Sequence, residues 1–378
     1  MQRRHRPTPF AAAVALAAAS LPAGVSAQVL DVARAPAWGP YQTAVDSSRH
    51  LVAARMEEVG IPGLSIAVAR DGEVVWSEGF GFADLENRVP VTPATKFRIA
   101  SISKALTASA VGELVQEGRL DLDATVQRYV PSFPEKRWPV TVREIGGHLA
   151  GIRHYRGEEF ASAIQYDDVV DALEIFARDT LLFEPGTRYS YSTYGWNLMS
   201  AVIQGASGVA FLRFMRENVI EPLGLRGTVA EHVDSIIPFR ARFYERTEDG
   251  RIVNAPYVNN SNKWAGGGYL STAEDLVRYG SAYFRGDFLD PATVELLWTP
   301  QHTSDGESTG YGIGWSSGER PEGGGRRVWH TGGAMGGSTI LMIYPDERIV
   351  VSILTNVSSV RHTALAAAVA DLFATVGS

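Results

Sequence analysis

The sequence predicts an α+β fold, in which an antiparallel sheet carries the terminal helices and a mostly helical lobe is inserted into the chain. Two observations support the sheet. Valine- and isoleucine-rich runs pair at 64–70 and 73–80, and a second pair lies at 338–344 and 349–355. The third observation is that helices and loops, with few strands, occupy the middle at about 119–239. We therefore expect both hairpins to share one sheet, the terminal helices to cover one face, and ligands to bind between the lobes.

The N-terminal 27 residues have the three parts of a secretory signal. A start with three arginines precedes an apolar core at 10–21 and a small-residue cleavage site at 25–27. We therefore predict a signal peptide at 1–27 and a mature domain at 28–378, periplasmic or secreted. A mitochondrial transit peptide is the alternative, because the segment is rich in arginine and lacks acidic residues.

The α/β lobe is predicted from about 40–118 and 240–376. It begins with a helix at 41–59, followed by a hairpin that turns at Asp71-Gly72, a favoured two-residue turn. A helix within 97–118 then ends at a glycine, which is typical of a helix C-terminus.

The helical lobe, at about 119–239, shows helical periodicity in three places, at 167–177, 197–206 and 211–219. The sequence His-Leu-Ala-Gly at 148–151 predicts a turn between helices.

The chain then returns to the α/β lobe. A hairpin is predicted at 241–257, and Ser271 with Glu274 predicts a capping box for a helix that runs to Tyr283. The preceding glycines are not followed by Gly-Lys-Ser/Thr, so close backbone packing is favoured over a phosphate loop. The last elements are the strand at 326–329, the two strands of the late hairpin, and a helix at 363–376.

Composition excludes several classes of function. The formal net charge of −7 becomes −10 without the three arginines of the leader, which argues against nucleic-acid binding. The absence of cysteine excludes disulfides, thiol nucleophiles and cysteine-ligated metals. No later run approaches a membrane span. The eight histidines show no metal-ligand spacing, and no cofactor motif occurs, so we predict no metal and no cofactor.

Ser101 and Lys104 are the first candidates for chemistry. Residues three apart on a helix share one face, so the Lys104 amine would lie beside the Ser101 hydroxyl. A serine nucleophile needs an adjacent base, and burial lowers the pKa of lysine enough for that role. The alternative is an ordinary helix N-terminus with a solvated Lys104, and this motif alone does not decide between them.

Two further segments are ambiguous when each is taken alone. Tyr191, in a run of tyrosines, is typical of amphipathic packing. His330 is more often a hydrogen-bonded structural histidine, although His-Thr-Gly-Gly at a strand edge allows a substrate acyl group to approach the backbone.

The order Ser-x-x-Lys, Tyr-Ser-x, His-Thr-Gly resembles the serine β-lactamase and penicillin-binding-protein superfamily, whose motifs are S-x-x-K, S-D-N and K-T-G. Tyrosine in the second motif resembles the branch of class C β-lactamases, D-Ala-D-Ala carboxypeptidases and esterases. The segments at 148–155, 254–272 and 330–337 are similar to the mitochondrial serine β-lactamase-like branch, which contains filament-forming serine peptidases. The resemblance covers about 40–375 and implies a β-lactamase/transpeptidase-like fold.

The resemblance implies a role for each matching residue. Ser101 would attack the acyl carbon, while Lys104 and Tyr191 share its proton. The backbone N–H groups of Ser101 and Gly333 would form the oxyanion hole. The substrate-binding positions would be Thr193, His330, Thr331 and Gly332.

Two positions depart from the β-lactamase pattern. Thr193 stands where many relatives carry asparagine, and His330 replaces the usual lysine. A histidine charge is expected to titrate near pH 6.5, so the KM for anionic substrates should rise between about pH 6 and 8. Both changes weaken the expectation that carboxylated β-lactams are hydrolysed.

We therefore predict a secreted active-site-serine hydrolase that forms a covalent acyl-enzyme on a small-molecule or peptide acyl substrate, with a peptidase or amidase favoured. A β-lactamase, a D-Ala-D-Ala carboxypeptidase and a carboxylesterase are the alternatives within this class. A structural protein that forms a homo-oligomer or filament is the alternative outside it.

Overall fold

The computed structural model describes residues 39–321 and 324–376, so the predicted leader lies outside the described residues. The strands found there are β1 (Gly63–Arg70), β2 (Glu73–Asp84), β3 (Val89–Pro90), β4 (Phe97–Arg98), β5 (Val229–Ala230), β6 (Tyr244–Arg246), β7 (Ile252–Asn254), β8 (Tyr269–Ser271), β9 (Ser316–Glu319), β10 (Arg326–Ala334), β11 (Gly337–Tyr344) and β12 (Ile349–Thr355). The α-helices are α1 (Gln42–Val59), α2 (Ile102–Gln116), α3 (Val142–Gly146), α4 (Thr193–Ser207), α5 (Phe211–Met215), α6 (Trp264–Gly267), α7 (Ala273–Ala282), α8 (Pro291–Trp298) and α9 (Thr363–Ala374).

Seven strands form one antiparallel sheet in the order β3, β2, β1, β12, β11, β10, β9. Strand β1 pairs with β12, with Leu64 opposite Thr355, so the early and late hairpins share a sheet. The turn from β1 to β2 has positive φ at Asp71 (54°) and Gly72 (89°), as a type I′ hairpin turn requires. The predicted α+β fold is confirmed, and the sheet joins the two ends of the chain.

The sheet separates two hydrophobic cores. Along β1, Ile66 and Val68 pack with α1 and α9, whereas Ala67 and Ala69 belong to the core on the opposite face, where α7 lies. This alternation follows from the two-residue period of a strand. Phe373 of α9 is fully buried in the first core, the one that Ile66 and Val68 share with α1 and α9; the core on the α7 side is the second. The two terminal helices therefore cover one face, as predicted.

Helix α2 lies in the second core, between the sheet and the helices α4, α6 and α8. It is apolar on nearly all sides, and most of its residues are buried. A helix that is hydrophobic all round belongs in a protein interior. Consequently Lys104, the third residue of this helix, is carried into the core.

The helix expected at 167–177 is wrong in extent and type. Only a 3₁₀ helix at Asp171–Ile175 forms there. Asp168 accepts the backbone N–H of Val170 (2.7 Å) and the Gln204 amide (3.0 Å). The bond from Asp168 to the Val170 N–H is local, and bonds of this kind offer the backbone an alternative to the α-helix.

Helix starts also differ from the predictions. Helix α4 begins at Thr193, not 197, because the Ser192 hydroxyl caps it by accepting the Gly195 N–H at 3.0 Å. Helix α7 is capped by Thr272, which accepts the Asp275 N–H at 3.1 Å, so the predicted capping box is wrong. Helix α5 continues as a π-helix at Arg216–Ile220.

Strand β10 runs five residues past the predicted 326–329, so the segment His-Thr-Gly-Gly lies inside a strand. Within residues 39–321 and 324–376, no single helix is long and apolar enough to cross a membrane. One bent pair, formed by Thr193–Ser207 and Phe211–Ile220, meets that test by length and composition only. The lobe boundaries near 118 and 240 stay predictions.

Candidate active site

Ser101 stands at the N-terminus of α2, directly after a residue with unusual backbone geometry. Ala100 has a positive φ of 50°, which is uncommon for a residue other than glycine. Its neighbour Ile99 is fixed by two bonds, one from its N–H to Tyr269 O and one from Thr339 to its carbonyl, both 3.0 Å. Among the described residues, no acceptor is bonded to the Ser101 N–H. This amide therefore lies at the positive end of the helix dipole, where it suits a developing negative charge.

Lys104 lies one turn later and is fully buried. Its Nζ is 3.1 Å from Ser101 Oγ, 3.1 Å from Thr193 Oγ1 and 2.8 Å from Gly266 O. Burial, and after it the positive charge of Lys263, holds the pKa of Lys104 well below 10.5. Within the described residues no carboxylate bonds to this amine, so its neutral form is favoured.

The three oxygens around Lys104 match the hydrogen-bonding capacity of a neutral amine, which has two N–H donors and one lone pair. Gly266 O accepts only, so it takes one N–H, and Thr193 Oγ1 accepts the other. We assign the lone pair to the Ser101 hydroxyl, 3.1 Å away, because a serine nucleophile must pass its proton to a base. This arrangement points the Ser101 proton at a base.

Tyr191 comes from the loop before α4 and lines both cavities beside Ser101. The Lys104 Nζ lies 4.8 Å from the centre of the Tyr191 ring. Burial raises the pKa of the Tyr191 phenol far above 10, and a hydrogen bond with the Ser101 side chain opposes that rise. The structure thus brings together the hydroxyl, the amine and the phenol that the sequence analysis singled out from two distant segments.

Thr193 is held close to α6 by a glycine. A Cβ built on Gly266 would lie 2.4 Å from the Thr193 methyl, so only glycine fits here. This contact accounts for one of the glycines at 266–268, for which the sequence predicts close backbone packing. It also places Gly266 O beside Lys104.

The glycines of strand β10 have different surroundings. A Cβ on Gly332 would lie 2.2 Å from Thr339 Oγ1 and 2.3 Å from Ile99 O, so Gly332 faces the backbone that carries the nucleophile. The expectation that Gly332 contacts substrate stays a prediction. A Cβ on Gly333 would meet no atom within 4 Å, and Gly333 and Thr331 are exposed to the cavities beside Ser101.

The charge expected on His330 is absent at physiological pH. Burial lowers the pKa of His330 to about 3, so the expected titration near pH 6.5 is wrong. Its Nδ1 lies 2.7 Å from Thr331 O, which only accepts, so Nδ1 carries the proton. Nε2 then accepts the Tyr311 hydroxyl at 2.9 Å.

Two cavities flank Ser101 and Gly333. One, of about 190 Å³, is lined by residues that include Tyr155, Phe160, Asn260 and Lys263. The other, of about 350 Å³, is lined by Ser101, Tyr189, Tyr191, Tyr311, Ser316, His330, Thr331 and Gly333. The scissile bond of an acyl donor would thus have space on both sides.

Sequence reasoning missed several of these lining residues. Lys263 is one of only four lysines and is almost fully buried; burial lowers its pKa to about 8, and its Nζ donates to Phe160 O at 2.8 Å. Its rarity in an arginine-rich chain was a usable signal. Tyr311 gave none, and His148, although it lies in the segment 148–155 that resembles the family, gave no sign of its contacts with Tyr191 and Tyr311, which join distant segments.

Comparisons with known proteins agree with this geometry. The family model described as Beta-lactamase matches residues 49–374. The chain is 34% identical to the mitochondrial serine beta-lactamase-like protein LACTB of Bos taurus, over 85% of this chain and 77% of that protein. It is 28% identical to penicillin-binding protein 4* of Bacillus subtilis strain 168, over 77% and 67% of the two chains. The octameric penicillin-binding protein homologue from Pyrococcus abyssi superposes with a TM-score of 0.73 at 28% identity, over 85% of this chain and 75% of that one. The chain therefore belongs to the beta-lactamase family, whose fold carries Ser101, Lys104 and Tyr191 into one site.

Proposed function

We propose that this protein is an active-site-serine hydrolase that works through a covalent acyl-enzyme, and that it is a peptidase or amidase. The observation that carries the proposal is the buried Lys104 amine, bonded to Ser101 Oγ at 3.1 Å and held neutral by its surroundings. A neutral amine in this position is the general base that a serine nucleophile requires.

In acylation, Ser101 Oγ attacks the carbonyl carbon of the substrate while its proton passes to Lys104 Nζ. The carbonyl oxygen becomes an oxyanion, for which we propose the N–H groups of Ser101 and Gly333 as donors. The intermediate collapses when the C–N bond breaks and the leaving amine takes a proton from Lys104 through the Tyr191 hydroxyl. Of the two candidate bases, Lys104 is favoured, because its pKa is lowered whereas that of Tyr191 is raised.

In deacylation, a water molecule attacks the ester carbon of the acyl-enzyme. Its proton passes to Lys104, directly or through Tyr191, and then to the departing Ser101 oxygen. The carboxylic acid product leaves, and hydroxyl, amine and phenol regain their starting protonation. No cofactor is needed for this balance.

The lining of the cavity that holds His330 favours an internal amide over a substrate with a carboxylate next to the scissile bond. Among the residues that line it, none is a lysine or arginine, and His330 is neutral. A buried anion without a paired charge is costly. Carboxylated β-lactams and D-Ala-D-Ala peptides are therefore expected to be poorer substrates than an internal peptide bond, a simple amide or an ester.

A fluorophosphonate probe with peptide mapping tests the proposal. Wild type should be labelled on Ser101, and Ser101→Ala should not be labelled while it keeps the same melting temperature. Parallel turnover of an internally quenched peptide, a p-nitrophenyl ester, nitrocefin and a D-Ala-D-Ala peptide then ranks the substrate classes. Equal labelling of wild type and Ser101→Ala would refute the nucleophile, and preferential turnover of nitrocefin would refute the peptidase assignment.

Compartment and assembly are part of the same proposal. The signal-like leader supports export, whereas the mitochondrial relative supports the transit-peptide alternative. The octameric relative supports a homo-oligomer. A filament would form instead if the interface between copies does not close into a ring. N-terminal sequencing of the mature protein after cell fractionation, together with sedimentation and electron microscopy, distinguishes these outcomes; a monomer at all concentrations would refute assembly.

A further inference from the structure

We propose that His148 is a positioning residue for Tyr191: it holds the loop and the ring of that tyrosine so that the phenol meets Ser101. This inference rests on the proposed function, since it concerns how the same site is kept in order. His148 belongs to the His-Leu-Ala-Gly segment at 148–151, and it is not among the residues that line the two cavities beside Ser101.

The first step is that His148 binds the backbone on both sides of Tyr191. The Ser190 N–H donates to His148 O at 2.9 Å. The Ser192 N–H donates to His148 Nδ1 at 3.1 Å. Tyr191 is thus the middle residue of a three-residue segment whose two flanking amides are fixed by one histidine.

The second step is that the ring of His148 packs against the ring of Tyr191. Their centres are 4.2 Å apart, and the planes are tilted by 38°. The other side of His148 contacts Tyr311, with ring centres 4.7 Å apart, and Tyr311 is the residue that bonds His330. His148 therefore links the tyrosine of the second motif to the strand that carries the third.

The third step is that this placement is unfavourable for His148 itself. Its φ is 62°, in the left-handed region that few residues other than glycine adopt. Because Nδ1 accepts an amide proton, the neutral ring carries its own proton on Nε2, and that buried atom has no partner among the described residues. Burial lowers the pKa of His148, which keeps the ring neutral. A strained backbone and an unpaired buried donor are typical of a residue retained for a site rather than for stability.

Two substitutions separate the contacts. His148→Asn keeps an acceptor for the Ser192 N–H and tolerates positive φ, but it removes the ring. His148→Phe keeps a ring against Tyr191 but leaves the Ser192 N–H without an acceptor. His154→Asn is the matched control, because His154 Nδ1 also accepts a backbone N–H, that of Thr193 at 3.2 Å, and its ring also touches Tyr191.

The experiment is a double-mutant cycle with Tyr191→Phe on the full chain, read as kcat and KM for a p-nitrophenyl ester and as the rate of fluorophosphonate labelling. Displacement of a catalytic group by about 1 Å costs up to about 100-fold, so we expect each His148 variant to lower kcat about 10- to 100-fold with little change in KM. In the Tyr191→Phe background the same variants should change kcat less than about twofold, whereas His154→Asn, which bonds no amide next to Tyr191, should show a smaller difference between the two backgrounds.

An equal loss in both backgrounds would overturn the proposal, because a purely structural role does not depend on the Tyr191 hydroxyl. So would a change confined to KM, or unfolding of both His148 variants by circular dichroism. Failure of wild type to label at Ser101 would instead refute the proposed function, and this result is distinct because it precedes the cycle.

Discussion

Removal of the Thr193 hydroxyl tests whether the hydrogen bonds of Lys104 decide the reactivity of Ser101. Valine at this position keeps the branched shape of threonine but accepts no hydrogen bond. One N–H of Lys104 then either stays unpaired or turns toward Ser101 Oγ. In the second case the lone pair no longer faces the serine hydroxyl, and the base is turned away from its proton.

The structure sets the size of the effect. The Lys104 amine is fully buried, and the lost bond to Thr193 is one of only three that it makes among the described residues. An unpaired buried donor costs about 1–3 kcal/mol. At about 1.4 kcal/mol for each factor of ten, Thr193→Val should lower kcat/KM roughly 5- to 150-fold.

The assay is kcat/KM for a p-nitrophenyl ester, together with the second-order rate of fluorophosphonate labelling. Thr193→Ser restores the hydroxyl and should regain most of the activity. Thr107→Val is the matched control, since Thr107 is also buried on α2 and its hydroxyl donates to Ala265 O at 3.1 Å. It removes one hydrogen bond between α2 and α6, the helix that also carries Gly266 O, but not one that Lys104 makes.

Both valine variants should therefore lose stability, and only Thr193→Val should lose reactivity. Wild-type kcat/KM in Thr193→Val would refute the assignment of the lone pair to Ser101. An equal loss in Thr107→Val would show that packing between α2 and α6, and not the amine, sets the rate.

Three further predictions concern protonation. Lys104→Met should abolish labelling yet raise the free energy of unfolding at pH 7, because the unfolded lysine binds a proton that the folded lysine has lost. The gain in stability, measured by urea denaturation, should shrink as the pH approaches 10.5. A destabilised variant would contradict this prediction. Burial raises the pKa of Glu113 to about 7, so the folded state loses stability as pH rises from about 4.5 through 7, and Glu113→Gln should stabilise the protein by about 1–3 kcal/mol at pH 8 but little at pH 4.5 in the same assay. With its pKa at about 3, His330 should leave KM for anionic esters flat between pH 6 and 8; a rise near pH 6.5 that disappears in His330→Gln would contradict this.

Much of the fold could be predicted because its signals are local. The turn at Asp71-Gly72 and the valine-rich runs around it are contained in about twenty residues. The helix at 167–177 failed because apolar periodicity does not show that Asp168 accepts the Val170 N–H, or that Gln204 on another helix holds the Asp168 side chain. Patterns along the chain do not record such contacts.

The site divides in the same way. The serine, lysine and tyrosine could be singled out because their chemistry and their order are visible in the sequence. The backbone contacts of Gly332 and the hydrogen bonds of His148 to the amides beside Tyr191 could not be predicted, because they depend on which segments meet. Residue type shows what a side chain is able to do, and burial decides whether it does so.

The ionisation of the site illustrates this most clearly, and it bears on the substrate. By type, Lys104 and His330 would place one fixed and one titrating positive charge beside Ser101. Burial lowers the pKa of both, so the same desolvation that makes Lys104 a base also removes the cation that would hold a carboxylate near His330. Burial therefore provides the base that activates Ser101 and at the same time removes a group that would bind an anion. For this reason we expect the activity to be directed at substrates that present no carboxylate to the cavity lined by His330.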